Sequence, residues 1–199
     1  PRMQKEMRIE VLGENTLKVT HFLTNRNPWS VVTAPWALSV MEGGGYGVLP
    51  LLPKGEHPRD LLPNASLNLW PYTDLSKPVW EMHRDYIGVN HPAATDSQKL
   101  GISDYSGWIA YWQETGTFVK FAPPVEEADY PDLNSAAEVY SCGFMTELET
   151  LGPLLNLQPE ETVAHVEFWG VFTGLPKPDS DAVFTESFKP VLDDWVGDI

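Results

Sequence analysis

Alternation of period two runs through most of the chain. Met7, Ile9 and Val11 alternate with Arg8 and Glu10, and Leu17, Val19 and Leu23 alternate with Lys18, Thr20 and Thr24. A strand turns successive side chains to opposite faces, so these runs predict half-buried strands, and two in succession predict a hairpin. Further strands are expected at "VWEMHRDY", "GWIAYWQ", "TFVKFA", "AAEVYSCGFMTELETL" and "TVAHVEFWGVF". Helical stripes are rare. The exception is "DAVFTESFKPVLDDW", where Phe184, Phe188, Leu192 and Trp195 fall at helical spacings interrupted by Pro190. The expected fold is therefore all-β, an antiparallel β-sandwich with a short C-terminal helix.

The run "SVVTAPWALSVM" ends at "EGGGYG", whose glycines permit positive φ and mark a turn or a close backbone approach. A phosphate loop needs a following Lys-Ser/Thr and an opening helix, and neither is present. From Leu52 to Pro78 the chain is dense in Pro, Asn, Asp and Leu, with "LNLWPY" as its one strand-like stretch. A long ordered loop of this kind over a β scaffold is a place for binding residues.

With 199 residues the chain fits one domain, 1–199, large enough to bury a core. Its 28 acidic and 13 basic residues give a net charge of -15, a sign that repels phosphate backbones and anionic lipid headgroups. Nucleic acid and membrane are thus poor partners, and small neutral ligands are better ones. One cysteine, Cys142, excludes an internal disulfide framework and reads as a small buried hydrophobe. No uninterrupted apolar stretch reaches 18 residues. Strand-like sequence begins within a few residues of Pro1, and the chain reads as a piece of a longer polypeptide.

The sharpest local information lies in two strands. In "MTELETL", Met145, Glu147, Glu149 and Leu151 share one face; in "TVAHVEFWGVF", Val163, His165, Glu167, Trp169 and Val171 share another. If the intervening "GPLLNLQPEE" joins them as antiparallel neighbours, Glu147, Glu149, His165 and Glu167 converge on one patch. The bland alternative is a set of solvated positions on the outside of a sandwich. The company of Trp36, Trp70, Trp108, Trp112, Tyr140 and Trp169 favours the patch, since aromatic rings beside carboxylates suit a sugar. Its CH faces stack on a ring while its hydroxyls donate to carboxylates. For the eight tryptophans as a group the alternative is core packing, expected of at least half. The candidate substrate-binding residues are Trp36, Lys99, Trp108, Glu138, Tyr140, Glu147, His165, Glu167 and Trp169. No metal and no cofactor is expected: HExxH, GxSxG and DxDxDG are all absent, and the five histidines show no ligand spacing on a common helix. Calcium on dispersed carboxylates is a minor alternative.

"THFLTNRNPWSVVTAPWALSVMEGGGYGVLPL" resembles the strand pair and following apolar strand of the galactose mutarotase-like supersandwich, the fold of aldose epimerases. "YPDLNSAAEVYSCGFMTELETLGPLLNLQPEETVAHVEFWGVF" resembles its closing strands, and with "KLGISDYSGWIAYWQETGTFVKF" the likeness is to an uncharacterised bacterial branch, over roughly residues 17–172. The resemblance implies a sugar substrate, a Glu acting as general base on the anomeric hydroxyl and a His protonating the ring oxygen. Glu149, before the "LNLQPEE" turn, resembles that base. Two close carboxylates raise one pKa, as proton transfer near neutrality requires. Where the family carries a His, this chain reads "APWALSV", with Trp36 in its place, and His91 is the remaining candidate acid. The resemblance also implies strands missing at the N-terminus, with an exposed edge covered by a missing segment or by a homodimer. Two functions stay open beside the epimerase: a non-catalytic carbohydrate-recognition module and a protein-interaction domain.

Overall fold

The structure, a computed structural model, describes residues 2–103 and 106–199. Its strands form two large antiparallel sheets. The eight-stranded sheet runs in the order β1 (Met3–Val11), β2 (Thr16–Asn25), β15 (Thr162–Phe172), β11 (Gly116–Phe121), β10 (Trp108–Gln113), β5 (Tyr46–Pro50), β8 (Tyr86–Asn90), β7 (Trp80–Met82). The five-stranded sheet runs β4 (Trp36–Glu42), β13 (Met145–Leu151), β12 (Ala137–Cys142), β9 (Gln98–Ile102), β6 (Leu67–Leu69). A small ribbon pairs β3 (Val31–Thr33) with β14 (Leu155–Leu157).

Between the large sheets lies a core that includes Leu49, Ile87, Val89, Leu100, Ile109, Tyr111, Val139 and Leu148. These are alternate residues of their strands, so each strand's other row faces outward. On the outer face of the eight-stranded sheet a helical segment, 181–197, lays Phe184, Phe188, Leu192 and Trp195 over Tyr46, Val48, Tyr86, Trp108 and Val119. Pro190 does not end this segment. A π-helical turn over Phe184–Phe188 precedes it, and Pro190 falls in the first turn of the next α-helical piece, where its missing N–H costs nothing. Gly170 makes the close approach possible, since a Cβ there would stand 2.9 Å from the Trp195 ring. Ser180 caps the segment through Oγ, which accepts the Val183 N–H at 3.3 Å.

Several sequence expectations change in detail. The first hairpin pairs as read, with Met7 opposite His21, but β1 is not half-buried: as the edge strand it leaves Met7, Ile9 and Val11 exposed. "SVVTAPWALSVM" is broken at Pro35 into β3 and β4, and the glycines turn the chain from the five-stranded sheet into β5 of the other. Gly44 takes φ 99°, and a Cβ on Gly43 or Gly45 would meet His91 or Tyr111 at 2.5 or 2.4 Å. Both proposed uses of the glycines hold. "VWEMHRDY" is not one strand but β7 and the start of β8, and "QKLGI" forms β9, for which the sequence offered no clear alternation. Cys142 is buried.

The expected pairing of β13 with β15 does not form. β13 lies between β4 and β12, whereas β15 lies between β2 and β11 in the other sheet. Trp108 also leaves the expected patch: the pleat of β10 turns it to the helical segment, where it is 1% exposed and donates from Nε1 to Asp193.

Phe188 is fully buried beneath the helical segment, so Phe188→Ala should destabilise the fold by about 3–5 kcal/mol, read as a lower midpoint in urea unfolding.

Candidate functional site

The outer face of the five-stranded sheet carries the polar cluster. In register across it, Asn68 and Gly101, Glu138 and Glu149 form one row, ending at Leu38; Lys99, Tyr140, Glu147 and Val40 form the next. Because side chains on one face repeat every second residue, Glu147 and Glu149 fall together, as do Glu138 and Tyr140. The long loop closes over this face. It is held by β6, by Thr73 Oγ1 donating to the Lys99 carbonyl, and by Gln98 Nε2 donating to the Tyr72 carbonyl. It delivers Trp70 and Tyr72.

Lys99 is the centre of the cluster. Its Nζ donates to Glu149 Oε2 at 2.8 Å and lies 2.7 Å from Glu138 Oε2, a contact whose angles fall short of a hydrogen bond. The ammonium also sits over the rings of Trp36 and Trp70, at 4.9 and 4.8 Å from their centroids. Trp36 Nε1 donates to the same Glu149 Oε2 at 2.6 Å. Burial alone would lower the Lys99 pKa, but the contacts with Glu138 and Glu149 outweigh it and hold the ammonium above its usual value. Glu138 is pushed up to about 8, first by burial and then by Glu149, against the pull of Lys99. Burial and the nearby Glu149 also raise Glu147. Glu149 Oε1 is buried without a hydrogen-bond partner, as are both oxygens of Glu138. The neighbouring turn is strained: Asp132, Leu133 and Asn134 have φ of 50°, 60° and 70°. Asn68 holds it, donating from Nδ2 to the carbonyls of Asp132 and Leu133 and to Ser135 Oγ.

Six sequence candidates thus come together: Trp36, Lys99, Glu138, Tyr140, Glu147 and Glu149. His165, Glu167 and Trp169 do not join them. They lie on the inner face of β15, between the sheets, because β15 belongs to the opposite layer. There Glu167 takes four donors: Lys120 Nζ at 2.6 Å, Thr150 Oγ1, His21 Nε2 at 2.9 Å and Trp169 Nε1 at 3.1 Å. His165 Nε2 lies 3.0 Å from Thr150 Oγ1. Lys120 crosses the core to the Ala37 and Leu148 carbonyls and Ser39 Oγ. Burial depresses the Lys120 ammonium, and Glu167 beside it opposes that shift.

His91 is the third departure. It sits beyond β8, its Nδ1 accepting the Gly44 N–H at 2.8 Å, which puts the proton of a neutral ring on Nε2. The turn it braces is level with Met145, four residues along β13 from Glu149, or roughly 13 Å at strand rise. Sequence reasoning reaches Trp70 as an aromatic and misses Tyr72; the strand-like "LNLWPY" in the long loop is the signal for both. Among the described residues no group of three His, Cys, Asp or Glu side chains could hold a metal ion.

Neither a family model nor a curated protein significantly matches the chain. Solved structures do. The fold is galactose mutarotase-like. A protein provisionally described as an aldose 1-epimerase, from Escherichia coli, superposes with a TM-score of 0.54 at 12% identity, covering 85% of this chain and 60% of its own. A galactose mutarotase-like protein from Lactobacillus casei gives 0.53 at 8% identity, covering 85% of this chain and 68% of its own. A TPR-domain containing protein from Parabacteroides distasonis gives 0.56 at 12% identity, with 89% of this chain matched to 32% of that one. The chain therefore spans only part of each of these proteins, and these identities establish likeness of fold alone.

The two charged clusters set how stability responds to mutation and to pH. Lys99→Met leaves two buried carboxyls without their cation and should cost about 3–5 kcal/mol at neutral pH. That deficit should narrow as the pH falls and the carboxyls are neutralised, which urea unfolding at several pH values would measure. In the wild type, the largest shifts that acid acts on belong to three groups. His165 is lowered from 6.5 to about 4, chiefly by burial, so the unfolded chain takes up its proton first and stability is lost as pH falls between those values. Burial opposes ionisation of Glu167, but its donors, His21 and Lys120 foremost, hold it at about 2, so its contribution is lost from 4.5 down to about 2. Glu138 works in the other sense, gaining stability as pH falls from about 8 to 4.5. Below 4.5 only losses remain. Unfolding free energy should fall steeply there, and His165→Gln should remove the loss between 6.5 and 4.

Proposed function

We propose that the outer face of the five-stranded sheet binds a sugar, and that recognition is its primary task. The observation that carries this reading is the clustering of Trp36, Trp70 and Tyr72 around Lys99, Glu138, Glu147 and Glu149. Trp36 is 54% exposed and offers a ring face to a pyranose, while Tyr72, Tyr140 and Glu147 on the rim offer polar atoms to its hydroxyls. The apolar row of Leu38 and Val40, both exposed, extends the platform. Similarity of fold to proteins described as aldose 1-epimerase and galactose mutarotase-like supports a sugar as ligand class, by analogy.

Recognition is favoured over turnover by the state of Glu149. It is fully buried, bonded to Lys99 and Trp36, and the residue standing where the resemblance expects a histidine is Trp36, whose indole N–H donates but does not exchange a proton at neutral pH. One observation favours the second reading, an epimerase. Glu138 faces Glu149 directly in register and burial pushes its pKa up to about 8, so one of two facing carboxyl groups lies in the range that proton transfer near neutrality requires.

Titration with a panel of monosaccharides, followed by tryptophan fluorescence, should give a saturable change, and Trp36→Ala should weaken it about tenfold, or ~1.4 kcal/mol. Polarimetry then separates the two readings. Binding without faster anomer interconversion supports recognition, whereas catalysis abolished by Glu149→Gln supports the epimerase. A panel with no saturable response sinks both.

A further inference from the structure

We propose that β1 is a homodimer interface at which two copies pair antiparallel about a twofold axis, joining their eight-stranded sheets edge to edge. This inference is independent of the sugar reading. Among the described residues β1 pairs with β2 alone, and its other edge is open over nine residues. The opposite edge of that sheet, β7, is three residues long. A long unpaired edge is a template for another strand, and charges along it block every partner except one whose charges are complementary in register. Here the apolar row is left in water: Met7 and Ile9 are each 54% exposed and Val11 is 76% exposed.

The charges of β1 select the partner. On its other face lie Gln4, Glu6, Arg8 and Glu10, with Arg8 only 3.5 Å from Glu6 in the same copy. Set two such strands antiparallel with Met7 on the axis, and all nine residues pair. Glu6 then faces Arg8 of the second copy, and by symmetry Arg8 faces its Glu6; Gln4 faces Glu10, and Met7 faces Met7. Lys5 falls opposite Ile9, where its aliphatic stem lies along the apolar row. Slipping the register by two residues one way opposes Glu6 to Glu6, and the other way Arg8 to Arg8, both unfavourable on a strand face. A slip of four restores opposite charges, Arg8 to Glu10, but leaves much of the strand unpaired. The sequence of the edge is thus self-complementary in one full-length register, the requirement of an isologous contact. The other open apolar edge, β4, carries only Glu42 as a charge to fix a register, and its exposed row belongs to the candidate site.

Sedimentation velocity on the 199-residue chain should show twice the monomer mass, dissociating on dilution. Arg8→Glu alone sets the Glu6 carboxylate of each copy against a second carboxylate and should yield monomer; the double exchange E6R/R8E should restore the dimer. Opposed residues of an antiparallel pair have Cα atoms about 4.5–5.5 Å apart, within disulfide reach, so Met7→Cys should crosslink under mild oxidation and Ile9→Cys should not. Native Cys142 is buried and does not compete. A wild-type chain that is monomeric at all concentrations overturns the proposal, and so does a double exchange that stays monomeric. Crosslinking through Ile9→Cys instead of Met7→Cys overturns the register.

Discussion

Lys120 holds the two sheets together. It rises from β11 in the eight-stranded sheet, pairs with Glu167 of β15 beside it, and spends its remaining donors on backbone and side-chain oxygens of β4 and β13 across the core. A fully buried lysine is costly unless paired and hydrogen-bonded, and this one has an anion and three further acceptors. Apolar packing interlocks the sheets but has no direction of its own. The Lys120 contacts add one, since they name particular oxygens in each sheet.

The consequence reaches the candidate site through β13. Thr150 and the Leu148 carbonyl are gripped from inside by Glu167, His165 and Lys120, while Glu147 and Glu149 project from the other side of the same strand. Two charged networks therefore share one strand, and the charge of Glu149 is felt by Lys120 on its other side. The inner one fixes position; the outer one, buried at Lys99, Glu138 and Glu149, underlies the exposed rings of Trp36 and Tyr72. Lys99 plays outside the part that Lys120 plays inside, with two carboxyl groups and two indoles in place of carbonyls.

Period-two alternation is enough to read the all-β class, the first hairpin and most strands, because alternation records which face of each strand is buried. It carries no record of which strand lies beside which. Hence the pattern puts Glu147 and Glu149 on one face, while nearness in sequence wrongly draws His165, Glu167 and Trp169 into the same patch; Glu138, Tyr140, Lys99 and Trp36 come beside them through strand neighbours that alternation leaves open. The turn after β13 leads into the other layer, and that choice is made by long-range packing. Trp108 shows the same limit, since alternation says that it faces one side of β10 but not that a helix waits there. His91 is reached only by elimination, and its actual partner, the Gly44 N–H, is a backbone group that residue types do not announce.

The loop that delivers Trp70 and Tyr72 leaves the eight-stranded sheet at β5 and enters the other at β6. Its first half, residues 51–66, lies mostly on the surface, away from both cores. Insertions there leave both sheets undisturbed, since loop closure grows only slowly in cost with length. Sequence can therefore drift in residues 51–66, while Lys99 and its partners, which belong both to the candidate site and to the stability of the five-stranded sheet, stay under constraint.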